Sequence, residues 1–119
     1  MAAELATEVL FNASSHAITA NEIGQVIDVS RCDAVQIDID VTVAGVSPTV
    51  TVERISPNGV AFNLITSAAI GVGKLSILIA PGAPAGVSPH QGVSELPGNG
   101  LRITVTSTSA TFSLTVYGR

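Results

Sequence analysis

AVQIDIDVTV, from Ala34 to Val43, alternates an aliphatic side chain with a polar one at every step after the first. In an extended backbone successive side chains point to opposite sides. Val35, Ile37, Ile39, Val41 and Val43 therefore share one face, and Gln36, Asp38, Asp40 and Thr42 the other. A helical period would scatter both sets around the axis, so the stretch predicts a strand with one dry face and one wet one.

The same logic extends outward. Leu101, Ile103 and Val105 alternate with Arg102 and Thr104, and Phe112, Leu114 and Val116 alternate within Thr111 to Tyr117. Glu8 to Phe11, Ile23 to Val29, Thr49 to Ile55, Val60 to Ile65 and Lys74 to Ala80 are further candidates, each bounded by Gly, Pro, Asn or Ser. Helical spacing is confined to Leu5 and Val9 within Ala2 to Leu10. About eight short strands without helices to cover a parallel sheet predict an all-β fold, an antiparallel β-sandwich of jelly-roll or immunoglobulin-like type. At 119 residues the chain is expected to form a single domain over 1–119.

Turn residues supply the connections. Asn58-Gly59 after Ser56-Pro57 predicts a hairpin joining Thr49 to Ile55 with Val60 to Ile65. The phrase Gly45-Val46-Ser47-Pro48 recurs as Gly86-Val87-Ser88-Pro89. VTVAGVSPTVTVE (Val41 to Glu53) also aligns without gaps on ITVTSTSATFSLT (Ile103 to Thr115), with Thr42, Val43, Ser47 and Thr49 matching Thr104, Val105, Ser109 and Thr111. Either two hairpins at equivalent places or chance within an alphabet of Val, Thr and Ser accounts for the match. Pro81 to Gly100 holds four prolines and five glycines and reads as a long loop; loops of this length in compact domains are commonly functional.

Charge narrows the function classes. Nine acids stand against Lys74, Arg31, Arg54, Arg102 and Arg119, a formal net charge of −4, and the cations are scattered. Without a basic cluster, nucleic acid is not an expected partner. No run approaches the ~20 apolar residues of a membrane span, so no membrane partner is expected. Two glutamates in MAAELATEVLF speak against a secretory leader. Cys32 is the single cysteine and reads as an inert buried thiol in a protein made in the cytoplasm.

Chemistry-bearing patterns are sparse. His16 and His90 are far apart in sequence, and no nucleophile elbow or zinc-protease motif accompanies either. Gly71-Val72-Gly73-Lys74-Leu75-Ser76 lacks the first glycine of a phosphate loop and the hydroxyl directly after the lysine. Asp28, Asp33, Asp38 and Asp40 lie close in sequence but form no calcium loop; a solvated or subunit-facing strand edge is expected instead. No catalytic residue, cofactor or metal is expected, nor an enzymatic activity. Aromatic residues make up 3% of the chain and there is no tryptophan, which offers few platforms for stacking a sugar.

ELPGNGLRITVTSTSATFSLTVYGR, Glu95 to Arg119, resembles the close of a group of small all-β bacteriophage virion proteins. In these a Leu-Pro bend precedes a Leu-Arg strand start, a Thr/Ser-rich link and a Phe-containing last strand ending near Gly-Arg. The matching positions here are Leu96-Pro97, Leu101-Arg102, Ser107 to Ala110, Phe112 and Gly118-Arg119. Val41 to Glu53 is similar to the hairpin such proteins carry mid-chain. Ala110 stands where those proteins carry a proline.

The resemblance implies a head-decoration protein, localised to the virion surface, whose partners are the major capsid protein and further copies of itself, a trimer being favoured. A tail-associated or fibre-associated sandwich that binds a host receptor or glycan is the alternative. The composition is compatible with adhesion: 12% charged residues cannot cover both outer faces of a sandwich. Ile65, Ile70 and Leu78 fall where alternation would place polar residues. With Pro81, Pro84, Val87, Pro89, His90 and Leu96 of the long loop, they form the expected partner contact.

Overall fold

The computed structural model describes residues 8–18, 21–45, 48–67, 69–87, 89–107 and 109–119. Among them the chain forms ten strands: β1 (Glu8–Ile18), β2 (Glu22–Asp28), β3 (Val35–Val43), β4 (Thr49–Ile55), β5 (Ala61–Thr66), β6 (Gly73–Ile79), β7 (Gly86–Val87), β8 (His90–Val93), β9 (Gly100–Thr106) and β10 (Ala110–Gly118). They build two facing sheets, one of six strands in the order β1-β10-β3-β6-β8-β7 and one of four in the order β2-β9-β4-β5. The expected all-β sandwich is the observed fold.

Alternation decides what lies between the sheets. Val35, Ile37, Ile39 and Val41 of β3 are buried, and so are Leu75, Ile77 and Ile79 of β6 and Phe112, Leu114 and Val116 of β10. The four-stranded sheet answers with Leu101, Ile103 and Val105 of β9, Val50 and Val52 of β4, and Ile27 of β2. Burying an aliphatic side chain of this size is worth roughly 1.5–3 kcal/mol relative to leaving it in water. Val43 departs from the pattern: at the end of β3 it is 52% exposed, because the core has already ended at Val41.

The Asn58-Gly59 turn closes the predicted hairpin. Gly59 takes a φ of 85° and donates its N–H to the Ser56 carbonyl at 2.8 Å, and β4 and β5 pair antiparallel from Thr51 to Ile55.

The two echoing segments are not hairpins. Val41 to Glu53 runs from β3 in the six-stranded sheet to β4 in the four-stranded one, and Ile103 to Thr115 crosses back from β9 to β10. The segments are nonetheless equivalent, because they pair with each other: β3 with β10, and β4 with β9, both antiparallel. Each is a strand, a bend that changes sheet, and a strand. Ser47 lies outside the described residues.

Pro81 to Gly100 is more ordered than a loop. It contains β7 and β8, and β8 runs parallel to β6, an exception in sheets otherwise paired antiparallel among the described strands. The four residues HQGV lack alternation, so periodicity could not reveal them. The exposed ladder groups of β6 draw them in, because an unpaired sheet edge leaves backbone donors and acceptors unsatisfied. β1 extends well past the predicted Phe11 for a related reason. NASSHAI has no apolar alternation, yet its backbone pairs with β10, with register shifts between Val9 and Phe11 and between Ala13 and His16. The helical spacing of Ala2 to Leu10 falls mostly outside the described residues, and Glu8 to Leu10 are strand.

Candidate contact surfaces

The outer face of the six-stranded sheet is set by register. Asp38 lies between Ser76 of β6 and Thr115 of β10, Asp40 between Lys74 and Ser113, and Gln36 between Leu78 and Tyr117. Asp38 accepts hydrogen bonds from the Ser76 hydroxyl at 2.8 Å and from the Gln36 amide at 3.0 Å. Thr115 donates to Asn12 Oδ1 at 3.1 Å, extending the polar row onto β1. These rows floor a trough of about 550 Å³, walled on one side by Pro89 and His90. The expectation of a strand edge for Asp38 and Asp40 is corrected: β3 is an interior strand, with β10 and β6 on either side. Among the described residues no three His, Cys, Asp or Glu side chains converge as metal ligands would.

The nine expected contact residues divide between separate places. Leu78, Pro89 and His90 come together beside the trough: His90 is paired with Ser76, and half-buried Leu78 with Gly92. Exposed Pro81 and Pro84 lie on the segment that bounds this edge. That segment is tied down on its own chain: Gly82 donates to the Ser94 hydroxyl at 2.9 Å, Gly92 donates to the Ala85 carbonyl at 2.8 Å, and Ala83 is buried. Val87 pairs with His90 in β7, and its side chain lies outside the described residues. Ile65 and Ile70 are elsewhere. Both are half-buried and packed against the core, and the Ile70 N–H donates to the Pro48 carbonyl at 2.7 Å.

Leu96 belongs to a second surface, organised around Arg54. The Arg54 guanidinium lies 5.8 Å from the centre of the Phe62 ring, 3.1 Å from Glu95 Oε1, and 3.5 Å from the Leu96 carbonyl. Phe62 and Leu96, 49% and 58% exposed, thus flank one cation, with Val60 also exposed two residues before Phe62. Phe62 and Val60 were missing from the expected contact. The signal was available in the Asn58-Gly59 turn, which fixes β5 opposite β4. That β5 is an edge strand, with Phe62 beyond the reach of the core, was not available. β5 (AFNLIT) carries no charge and no proline, the usual protections of a free edge.

No family model and no curated protein sequence matches the chain. Among solved structures it is similar to PfGH50B, with a TM-score of 0.49 and 7% identity over 98% of this chain and 22% of that one. It is also similar to an exo-β-agarase, with a TM-score of 0.47 and 12% identity over 91% of this chain and 22% of that one. The infectious bursal disease virus VP2 subviral particle follows, with a TM-score of 0.34 and 14% identity over 96% of this chain and 28% of that one. The chain thus spans 22% of the length of each of the first two. The expectation that the chain has no enzymatic activity is corrected: the second of these structures is that of an exo-β-agarase, so that absence is not carried forward. At these identities and TM-scores the likenesses carry no argument about what this chain does. Those named here include a virus capsid protein and do not bear specifically on bacteriophage decoration proteins.

Proposed function

We propose that the chain is a structural protein of a virus particle, a decoration protein that binds the outside of an assembled phage head and reinforces it by non-covalent contacts. The observation that carries this reading is the patch of Val60, Phe62 and Leu96 around Arg54, beside the uncharged free edge of β5. Large apolar side chains left half in water at one place, on a chain with few charges, favour a contact surface. The resemblance of Glu95 to Arg119 to phage virion proteins supports the same reading.

In this reading the Arg54 patch meets the major capsid protein. The prolines and His90 beside β8 meet further copies of the chain around a symmetry axis, a trimer being favoured. A ligand that binds the assembled shell and not its separated subunits stabilises the shell by mass action. Co-sedimentation with purified phage heads, together with light scattering on the free protein, tests the proposal. Pelleting with heads and a trimer mass are expected; a monomer that stays in the supernatant refutes it.

The polar trough floored by Asp38, Ser76 and Thr115 and walled by His90 favours a second reading, a tail-associated or fibre-associated sandwich that binds a host glycan. Its carboxylates, amide and hydroxyls present the donors and acceptors that sugar hydroxyls pair with. Binding on a glycan array, lost in Asp38→Ala, would select this reading over the first.

A further inference from the structure

The sandwich is not sealed along the side where β1 and β2 end their sheets. Core residues elsewhere are shut off from solvent: Val35, Ile37, Ile77, Ile79 and Leu101 are 0% exposed. Ile27, Ile103, Val105 and Leu114 retain 4–6% exposure, and these four, with Phe112, floor a cleft of about 320 Å³. Part of the core's residual exposure thus falls in this opening, while Ile18, at 6%, lies outside its lining. Two backbone irregularities border it. Ser15, at a φ of 47°, sits in the register shift of β1 and donates its N–H to the Ser113 hydroxyl at 3.0 Å. Gly24 lies in the register shift of β2, so close to β9 that a Cβ would fall 2.5 Å from the Ile103 carbonyl oxygen.

The mouth is polar. His16 Nε2 lies 2.8 and 2.7 Å from the two carboxylate oxygens of Glu22, a clasp from one sheet to the other, and the imidazole stands edge-on to Phe112 with centroids 5.6 Å apart. No lysine or arginine is among the described residues lining the cleft. Glu22 is the acid of the lining, and its carboxylate oxygens retain lone pairs beyond those His16 engages. Pockets of this size with an apolar floor and a few convergent polar groups suit small ligands, the polar groups selecting the head and the floor the body.

We propose that this cleft is a binding site for a small cationic amphiphile, an alkyl or single-ring amine, whose hydrocarbon lies on Ile103, Val105 and Leu114 and whose ammonium pairs with Glu22. The inference is independent of virion binding, and either can fail without the other. Octylamine and octanoate, both below the concentrations at which they aggregate, are titrated into the full chain. Binding is followed by calorimetry and by methyl NMR shifts. Saturable octylamine binding is expected, at least tenfold tighter than octanoate, with shifts at Ile103, Val105 and Leu114. Ala13→Leu, which fills the cleft, should weaken octylamine at least tenfold while keeping the folded spectrum. Glu22→Gln, at an exposed site that leaves the core untouched, should bring the two ligands to within about threefold of each other. The proposal is overturned by absent saturable octylamine binding, by shifts confined to the opposite trough, or by an amine preference unchanged in Glu22→Gln.

Discussion

Gly45 and Ser109 meet where the two sheet-crossing links pass each other: a Cβ built on Gly45 would lie 1.1 Å from the Ser109 carbonyl oxygen. Gly45 also takes a φ of 59°, and Gly86, which opens the repeated Gly-Val-Ser-Pro phrase, a φ of 60°. The crossing therefore demands glycine twice over, for its backbone conformation and for the close approach of a neighbouring chain segment. Gly45→Ala should destabilise the fold by at least about 3 kcal/mol, because strain and overpacking combine. Gly71→Ala is the control: it has open space around it and no positive φ, so a change within about 0.5 kcal/mol is expected. Denaturant melts of the two variants decide it, and equal stabilities would mean the links do not touch.

Two neighbouring residues of β6 should behave oppositely. Ile77 is fully buried, whereas Leu78 points to the outer face between Gln36 and Gly92. Ile77→Ala is expected to cost about 2–5 kcal/mol, the range for removing a buried aliphatic group that leaves a cavity. Leu78→Ala should cost under about 1 kcal/mol, since that side chain is only partly buried. Thermal melts that ranked the two the other way round would reverse the assignment of faces.

Across the middle of the four-stranded sheet, Arg102 Nη2 lies 3.0 Å from Glu53 Oε1, and the two residues are directly opposed on β9 and β4. Partly buried and held on rigid neighbouring strands, the pair should show a coupling of about 0.5–1 kcal/mol in a double-mutant cycle of Glu53→Gln and Arg102→Met. The coupling should shrink with added salt. A cycle that closes at zero in low salt would assign the pair no energetic role.

The structure moves the titration of Asp28. The Ser30 hydroxyl donates to its carboxylate at 2.7 Å and the Ser30 N–H at 2.9 Å, holding the carboxyl below the ordinary aspartate value of 3.8; Arg31 contributes in the same direction. A folded pKa below the unfolded one means stability that is present above the unfolded value. It is lost as pH falls through the folded value. Ser30→Ala should raise the Asp28 midpoint toward 3.8 in a carboxyl NMR titration and remove its part of the acid dependence of stability. An unmoved midpoint would show that Ser30 does not set it.

The proposed shell contact makes its own demand. Phe62→Asp and Leu96→Asp both put a charge beside Arg54 at exposed positions, so each should fold as the parent does and lose co-sedimentation with phage heads. Asn63→Asp, at an exposed position on the same edge strand opposite Glu53 rather than Arg54, should pellet with heads as the parent does. Retention of head binding in both of the first two variants would remove the Arg54 patch from the interface.

The chain alone determined the facing of nearly every central strand. In β3, β6, β9 and β10 alternation named the buried residues, and Asn58-Gly59 named the turn between β4 and β5. These are local properties: a pleated backbone sends neighbouring side chains to opposite sides, and a turn type selects its own residues. Only the tertiary structure decided which strands are neighbours. It turned the two echoing segments into paired crossings between sheets, drew HQGV into a parallel edge beside β6, left Phe62 outside the core, and brought His16 of one sheet to Glu22 of the other. Pairing depends on backbone groups distant in sequence finding partners when the sheets close, and the side chains of a single strand do not encode that choice.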